Sequence, residues 1–222
     1  MLTLYHCHNA RSFRPLWTLE EMGLDYELKM LPFPPRQMSP DYLSINPLGT
    51  VPTFFDGPTR MTESSAICEY LVTRYGPTPL AVDPGDAEFG AYLNWLYLGE
   101  ATLTFPQTLV LRYGKLEPPE RRSEQVAGDY ARWFLSRLRS VGVAVEQRRT
   151  LCAGRFTAAD VSVGYALLMA EMLGLDAKFS PAVAGYWQSL KEREGFRRAA
   201  AKQDQAMAEQ GVGKVDILQK QA

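Results

Sequence analysis

Apolar and polar positions alternate at two places near the start of the chain. Residues 2–5 (LTLY) and 26–30 (YELKM) show a period of two, which predicts a short strand at each. Between them, apolar residues recur at helical spacing after Ser12, which can cap a helix, and before Gly23, which can end it. This order predicts a βαβ unit with parallel strands and a right-handed crossover.

The next segment predicts two antiparallel strands and a second helix. A polar stretch rich in proline leads to the apolar run 51–55 (VPTFF), and residues 56–57 (DG) form a hairpin turn into a further strand. Ser64 or Ser65 then opens a helix that residues 76–77 (GP) end. The first domain therefore has the order βαβ followed by ββα.

Beyond residue 80 the chain shows helical periods, breaks at Gly or Pro, and no convincing strand. We therefore predict an α/β N-terminal domain over 1–79 and an all-α C-terminal domain over 86–222. Residues 105–106 (FP) are expected to break or kink its first helix. The polar tail after about residue 200 is expected to be a solvated helix or a frayed end. The predicted helices cover about 87–113, 119–149, 158–174 and 181–195.

Two sequence signals mark the start of one helix in the second domain. Thr157 and Asp160 have the spacing of a capping box, and Phe156 and Val161 flank it as a hydrophobic staple. Residues 161–175 are apolar around the whole helix circumference apart from one glutamate. We therefore expect this helix to be the buried centre of the second domain.

Charge and composition exclude several classes of function. The chain has 24 Lys and Arg residues against 25 Asp and Glu residues, which excludes nucleic-acid binding by bulk electrostatics. Its 46% hydrophobic residues suffice for a sizeable core. We find neither a run of about 18 apolar residues nor a basic and then apolar leader, so we expect a cytoplasmic protein without a membrane segment.

Metal and disulfide chemistry are not expected. Cys7, Cys68 and Cys152 are odd in number and far apart, which argues against a disulfide framework and against a zinc site. His6 and His8 lie at strand spacing, but no third ligand is near, so we expect structural or surface roles for them. We predict no metal.

Four segments carry a further signal: residues 4–28 (LYHCHNARSFRPLWTLEEMGLDYEL), 46–54 (NPLGTVPTF), 62–71 (TESSAICEYL) and 156–161 (FTAADV). In their order and spacing they resemble the cytosolic glutathione transferases, which act in detoxification. The resemblance implies a thioredoxin-like N-terminal domain that binds glutathione and an all-α C-terminal domain that supplies the pocket for the second substrate. It also implies a two-fold homodimer.

The resemblance places most glutathione contacts on two loops of the first domain. In the family motif the bond that corresponds to Val51-Pro52 is cis, and the backbone of Val51 would pair with the cysteinyl part of glutathione. Ser64, at a helix N-terminus, would bind the γ-glutamyl carboxylate, and Glu63 would help to hold the amine.

A separate contact is implied for the glycyl carboxylate of glutathione. Arg36 or Gln37, in the polar stretch, would meet this anion. The family often has a basic residue just before the Val-Pro pair, where this chain has Thr50. The sequence leaves the choice between Arg36 and Gln37 open.

The loop after the first strand is expected to activate the thiol of glutathione. A free thiol has a pKa of about 8.5, so the site must place hydrogen-bond donors and positive potential at the sulfur. Ser12 and Asn9 are the candidate catalytic donors, and Asn9 stands where serine-type relatives carry the active hydroxyl. The sequence leaves open whether one or both donate.

Cysteine-type relatives suggest a competing mechanism, in which a protein thiol forms a mixed disulfide with glutathione. Their cysteine corresponds to Arg11, so Cys7 is expected to be a core residue at the end of the strand. Arg11 and Arg14 either add positive potential or project into solvent, and we expect solvent for one of them.

The helix near residue 95 carries an aromatic stripe that belongs either to the core or, by family geometry, to an apolar pocket over the thiol. Tyr92, Trp95 and Tyr113 are the candidates for lining this pocket. The sequence thus predicts a glutathione S-transferase whose thiolate attacks a small apolar electrophile. The alternatives are a glutathione-dependent thiol reductase or peroxidase and a non-catalytic glutathione-binding scaffold protein.

Overall fold

The structure is a computed structural model that describes residues 1–213. Its strands are β1 (Leu2–His6), β2 (Tyr26–Met30), β3 (Thr53–Asp56) and β4 (Thr59–Met61). Its α-helices are α1 (Phe13–Met22), α2 (Pro35–Met38), α3 (Ser64–Arg74), α4 (Phe89–Tyr97), α5 (Phe105–Leu111), α6 (Glu124–Arg148), α7 (Ala158–Met172), α8 (Pro181–Lys191) and α9 (Glu194–Glu209). Short 3₁₀ helices cover Pro40–Ser44, Pro119–Arg121 and Asp176–Lys178.

The four strands form one sheet in the order β2-β1-β3-β4. β1 pairs in parallel with β2, while the β1–β3 and β3–β4 pairs are antiparallel. Along β1 the buried residues Leu2, Leu4 and His6 alternate with half-buried ones, which is the period of two that predicted the strand. The predicted orders βαβ and ββα are confirmed.

The chain folds into two compact units. Within the described residues, the first contains Met1–Ala81 together with residues 191–213, and the second contains Val82–Leu190. The domain limits predicted from the sequence, 1–79 and 86–222, are distinct from this division and stay a prediction. Residues 214–222, the end of the predicted polar tail, lie outside the described residues.

The helix α9 packs within the first unit, so the expectation of a solvated or frayed tail is wrong for it. Phe196, Ala199, Gln203 and Ala206 are buried and follow at intervals of three or four residues, which places them on one face. This face packs against α1 and β2, and the Phe196 ring lies 5.0 Å from the Trp17 ring. The other faces are polar, which concealed the buried stripe in the sequence.

The two ends of α1 differ in how well the sequence predicted them. Gly23 ends the helix in the left-handed conformation (φ 63°), as predicted, and its N–H donates to the Leu19 carbonyl. Ser12 occupies the N-cap position, but the expectation that its side chain caps the helix is wrong. Its hydroxyl lies instead 2.7 Å from His6 Nδ1.

The regular structure described for the second unit is mainly helical. The predicted helix over 87–113 is present, but π-helical turns at Leu98–Thr104 and Arg112–Leu116 interrupt the α-helical geometry. Pro106 does not break the chain of turns, because it stands in the first turn of α5, where its missing N–H is tolerated. None of the described helices is long and apolar enough to cross a membrane.

The predicted capping box at the start of α7 is confirmed. Asp160 Oδ2 accepts from the Thr157 backbone N–H at 2.8 Å, and both halves of the box are formed. Every residue from Ala158 to Leu167 is buried, so α7 is the central helix of its unit, as predicted.

The π-helical turn at Gly99 lies directly against the backbone of α7. A Cβ added to Gly99 would come 2.6 Å from the carbonyl carbon of Ser162 and 2.7 Å from its oxygen. We expect Gly99→Ala to lower the free energy of unfolding by about 1–3 kcal/mol, because the helix backbone would have to shift. Urea unfolding checks this, with Gly90→Ala on α4 as the control, since nothing lies within 4 Å of its added Cβ. Equal stability of the two variants would contradict the prediction.

Candidate functional site

Three loops meet at one edge of the sheet. Tyr5 near the end of β1 pairs with Thr53 at the start of β3, and Phe54 pairs with Met61 at the end of β4. Because β3 runs antiparallel to both neighbours, the loop after β1, the loop before β3 and the loop after β4 lie at the same edge. The residues predicted to activate the thiol and most of those predicted to bind glutathione stand on these loops.

The predicted binding residues differ in exposure. The Val51-Pro52 bond is cis, as the resemblance implied, and Val51 is half-buried. Glu63 is exposed at the N-cap of α3. Arg36 is exposed on α2 and donates from Nη2 to a carbonyl of the loop before β3 at 2.7 Å, while Gln37 beside it is also exposed. Among the contacts that the structure describes, Arg36 is bonded to one of the three loops and Gln37 is not.

A buried guanidinium lies at the N-terminus of α3. Arg14 is 0% exposed, and its Nη1 donates to Ser64 Oγ at 3.1 Å. Ser64 is buried and is the first residue of the helix, so the charge of Arg14 and the positive end of the helix dipole act at one place. The sequence left Arg14 open between positive potential and solvent. In the structure Arg14 adds positive potential at the start of α3. No local pattern in the sequence distinguishes this role from a side chain that projects into solvent.

Four polar side chains form a network around the loop after β1: His6, Asn9, Ser12 and Gln203, here called the loop cluster. His6 Nδ1 lies 2.7 Å from Ser12 Oγ, and His6 Nε2 lies 2.9 Å from Gln203 Oε1. Gln203 Oε1 also accepts from the Asn9 backbone N–H at 3.0 Å, and Gln203 Nε2 donates to Asn9 Oδ1 at 2.7 Å. The network thus joins both predicted thiol donors. Gln203 escaped the sequence analysis because it lies on the helix expected to be solvated.

His6 is the titratable member of the loop cluster. Its ring is fully buried, and this burial lowers the pKa of His6 to about 4, with a smaller lowering from the nearby His8. His8 itself lies 3.0 Å from Asp204, which is on the exposed side of α9. Each histidine thus has a protein partner, and His6 is neutral at pH 7.

The cysteines are unsuited to thiolate chemistry. Cys7 is 0% exposed, and burial raises the pKa of its thiol to about 12. Burial likewise raises the pKa of Cys68 and of Cys152 to about 11. The expectation that Cys7 is a core residue is confirmed, and a mixed-disulfide mechanism through Cys7 lacks an accessible thiolate.

The three aromatic residues predicted to line an electrophile pocket have different surroundings in the second unit. Trp95 lines an open groove of about 500 Å³ between α4 and α6, together with Val143 and Leu151. Tyr92 is fully buried, and Tyr113 is half-buried beside the guanidinium of Arg112. Neither tyrosine lines the groove that contains Trp95, and the pocket assignment stays a prediction.

The sheet order and the helical second unit define a class of proteins with a thioredoxin-like first domain. Residues 10–74 match the family described as Glutathione S-transferase, N-terminal domain. Glutathione S-transferase 1 of Zea mays is 32% identical over 194 residues, which cover 82% of this chain and 87% of that protein. The chain belongs to the glutathione S-transferase family.

Two further similarities differ in how much they cover. Glutathione S-transferase 3 of Schizosaccharomyces pombe is 37% identical over 103 residues, but these span only 43% of that protein and 46% of this chain. The crystal structure of the glutathione transferase URE2P6 from Phanerochaete chrysosporium, in complex with oxidized glutathione, is 25% identical with a TM-score of 0.80. The match covers 92% of this chain and 97% of the chain in that crystal structure. The predicted fold class is confirmed.

Proposed function

We propose that this protein is a glutathione S-transferase that ionises the thiol of glutathione and lets it attack a small apolar electrophile. The observation that carries the proposal is the buried contact between Arg14 and Ser64, at the same edge of the sheet as the loop cluster. An anion site and a set of hydrogen-bond donors on neighbouring loops suit a ligand with a carboxylate at one end and a thiol further along.

Each part of glutathione has a proposed partner in the first unit. The γ-glutamyl carboxylate binds at Ser64, where Arg14 and the N-terminus of α3 supply positive potential, and Glu63 accepts from the ammonium group. The backbone of Val51 pairs with the cysteinyl residue. For the glycyl carboxylate, Arg36 is favoured over Gln37, since Arg36 is anchored to the loop before β3.

The thiol is activated at the loop after β1, where Ser12 and Asn9 are the proposed donors to sulfur. The donors stabilise the thiolate. Holding this thiolate next to a bound electrophile then accelerates the reaction by proximity. Tyr92, Trp95 and Tyr113 remain the candidates for the electrophile pocket. A homodimer and a cytoplasmic location also remain predictions. The buried state of Cys7 favours the transferase over a thiol reductase that uses this cysteine.

Binding and turnover measured on one preparation test the proposal. We expect calorimetric binding of glutathione and formation of a thioether conjugate with an activated aryl halide, followed by mass spectrometry. No heat and no thermal shift at millimolar glutathione would contradict glutathione as the ligand. Binding without turnover would favour the scaffold protein, and reduction of a glutathione mixed disulfide without conjugation would favour the reductase.

Ser64→Ala is expected to weaken glutathione binding by about 1–3 kcal/mol, because it removes a hydrogen bond to a charged group. Calorimetry of the variant against the wild type measures the difference. Ser44→Ala is the matched control, because Ser44 is exposed and bonds only to the carbonyl of Asp41 in the described contacts. The same affinity in both variants would show that the carboxylate does not bind at Ser64.

A further inference from the structure

The contacts described for the loop cluster fix the positions of its hydrogens. A backbone N–H can only donate, so the atom of Gln203 that faces the Asn9 N–H at 3.0 Å is the amide oxygen. The same oxygen lies 2.9 Å from His6 Nε2, and an oxygen of this kind can only accept. His6 Nε2 therefore carries a hydrogen.

The position of that hydrogen decides what the Ser12 hydroxyl does. His6 is neutral, so a hydrogen on Nε2 leaves Nδ1 as an acceptor. The hydroxyl of Ser12, 2.7 Å away, must then donate its single hydrogen to Nδ1. The Cys7 backbone N–H meets the Ser12 oxygen from another side at 3.4 Å. Ser12 thus keeps no hydrogen for a ligand.

The same glutamine sets the direction of the Asn9 amide. Gln203 Nε2 donates to Asn9 Oδ1 at 2.7 Å, which identifies that atom as the oxygen. The other branch of the amide is then the NH₂ group, which carries two hydrogens. Asn9 has a φ of 52°, a left-handed conformation that the paired contacts with Gln203 help to hold.

We propose that Gln203 is a positioning residue for thiol activation, which commits the Ser12 hydrogen to His6 and presents the Asn9 amide as the donor to the sulfur of glutathione. This inference rests on the proposed function and chooses between its two donors. Gln203 acts through His6 and Asn9 and does not itself touch the thiol. A residue of the last described helix thereby controls chemistry at the loop after the first strand.

The main test is the pKa of enzyme-bound glutathione, read from the ultraviolet absorbance of the thiolate and from the pH profile of kcat. Gln203→Met keeps the length of the buried side chain and removes both polar atoms. We expect Gln203→Met to raise the pKa of the bound thiol by about one pH unit. We expect Asn9→Ala to raise the same pKa by about one to two pH units. The double variant should show no further rise beyond Asn9→Ala, because Asn9 is the group through which Gln203 acts on the sulfur, while His6 only holds the hydrogen of Ser12.

The control is Gln205→Met, on the exposed side of the same helix, where the side chain bonds only to Glu209 in the described contacts. It should leave the pKa of the bound thiol at the wild-type value. A wild-type pKa in folded Gln203→Met, or effects of Asn9 and Gln203 that add, would overturn the inference. Failure of the wild type to bind glutathione at all would instead overturn the proposed function.

A second measurement needs no variant at Gln203. Long-range ¹H–¹⁵N NMR spectra distinguish histidine tautomers, and the chain has only 2 histidines, so His8→Asn assigns the His6 signals. We expect the Nε2–H tautomer for His6 at neutral pH. The Nδ1–H tautomer would release the Ser12 hydrogen and refute the proposed role of Gln203.

Discussion

Asp160→Ala is expected to lower the free energy of unfolding by about 3–5 kcal/mol. The carboxylate is 1% exposed and accepts from the Thr157 N–H at 2.8 Å, the Thr157 hydroxyl at 3.0 Å and the Tyr186 hydroxyl at 2.7 Å. Alanine would remove the capping box and leave these buried donors without their acceptor. Denaturant unfolding followed by tryptophan fluorescence measures the loss.

Asp129→Ala is the matched control for this prediction. Asp129 lies on α6 and pairs with Arg132 on the exposed surface of the helix, so its removal should cost no more than about 0.5 kcal/mol. Comparable losses in the two variants would mean that the buried network around Asp160 contributes little, and that α7 is held by apolar packing alone.

The second large effect is a loss of stability in mild acid caused by His6. An unfolded histidine takes up a proton near its ordinary pKa of 6.5, whereas burial lowers the pKa of folded His6 to about 4. Between these values the unfolded state binds more protons, so stability falls as the pH falls. Linkage gives a loss of about 2 kcal/mol at about pH 5, rising to about 3 kcal/mol near pH 4.

Unfolding at about pH 7.5 and about pH 5 tests this in wild type and His6→Gln, since the variant lacks the titrating ring. We expect the variant to lose about 2 kcal/mol less than the wild type between these two conditions. His8→Gln is the control, because His8 is half-buried and faces Asp204. If the loss of stability in acid disappears in His8→Gln and persists in His6→Gln, the acid sensitivity belongs to His8 and the prediction is wrong.

Local patterns predicted the parts of this fold that depend on neighbouring residues. The alternation in β1, the glycine that ends α1 and the capping box of α7 each need only a few consecutive positions, and all three were correct. The resemblance to a family added the ligand and the loops that bind it.

The polar network of the site was beyond such patterns. His6 and Gln203 are separated by 197 positions, and a single glutamine on a polar helix has no periodic signal that distinguishes a buried contact from a solvated one. Arg14 presents the same difficulty, because a charged side chain is rarely fully buried unless it has partners. Only the packing of α9 and α3 against α1 reveals what these side chains do.

The place of α9 in the first unit has a consequence for the order of events during synthesis. The ribosome makes Met1–Ala81 first, then the whole of Val82–Leu190, and only afterwards the helix that covers Trp17. At a synthesis rate of about 5–20 residues per second, roughly 5 to 20 s pass between the synthesis of the first segment and the synthesis of that helix. Through this interval the face of α1 that carries Trp17 lacks the helix that covers it, so its apolar surface stays open during synthesis.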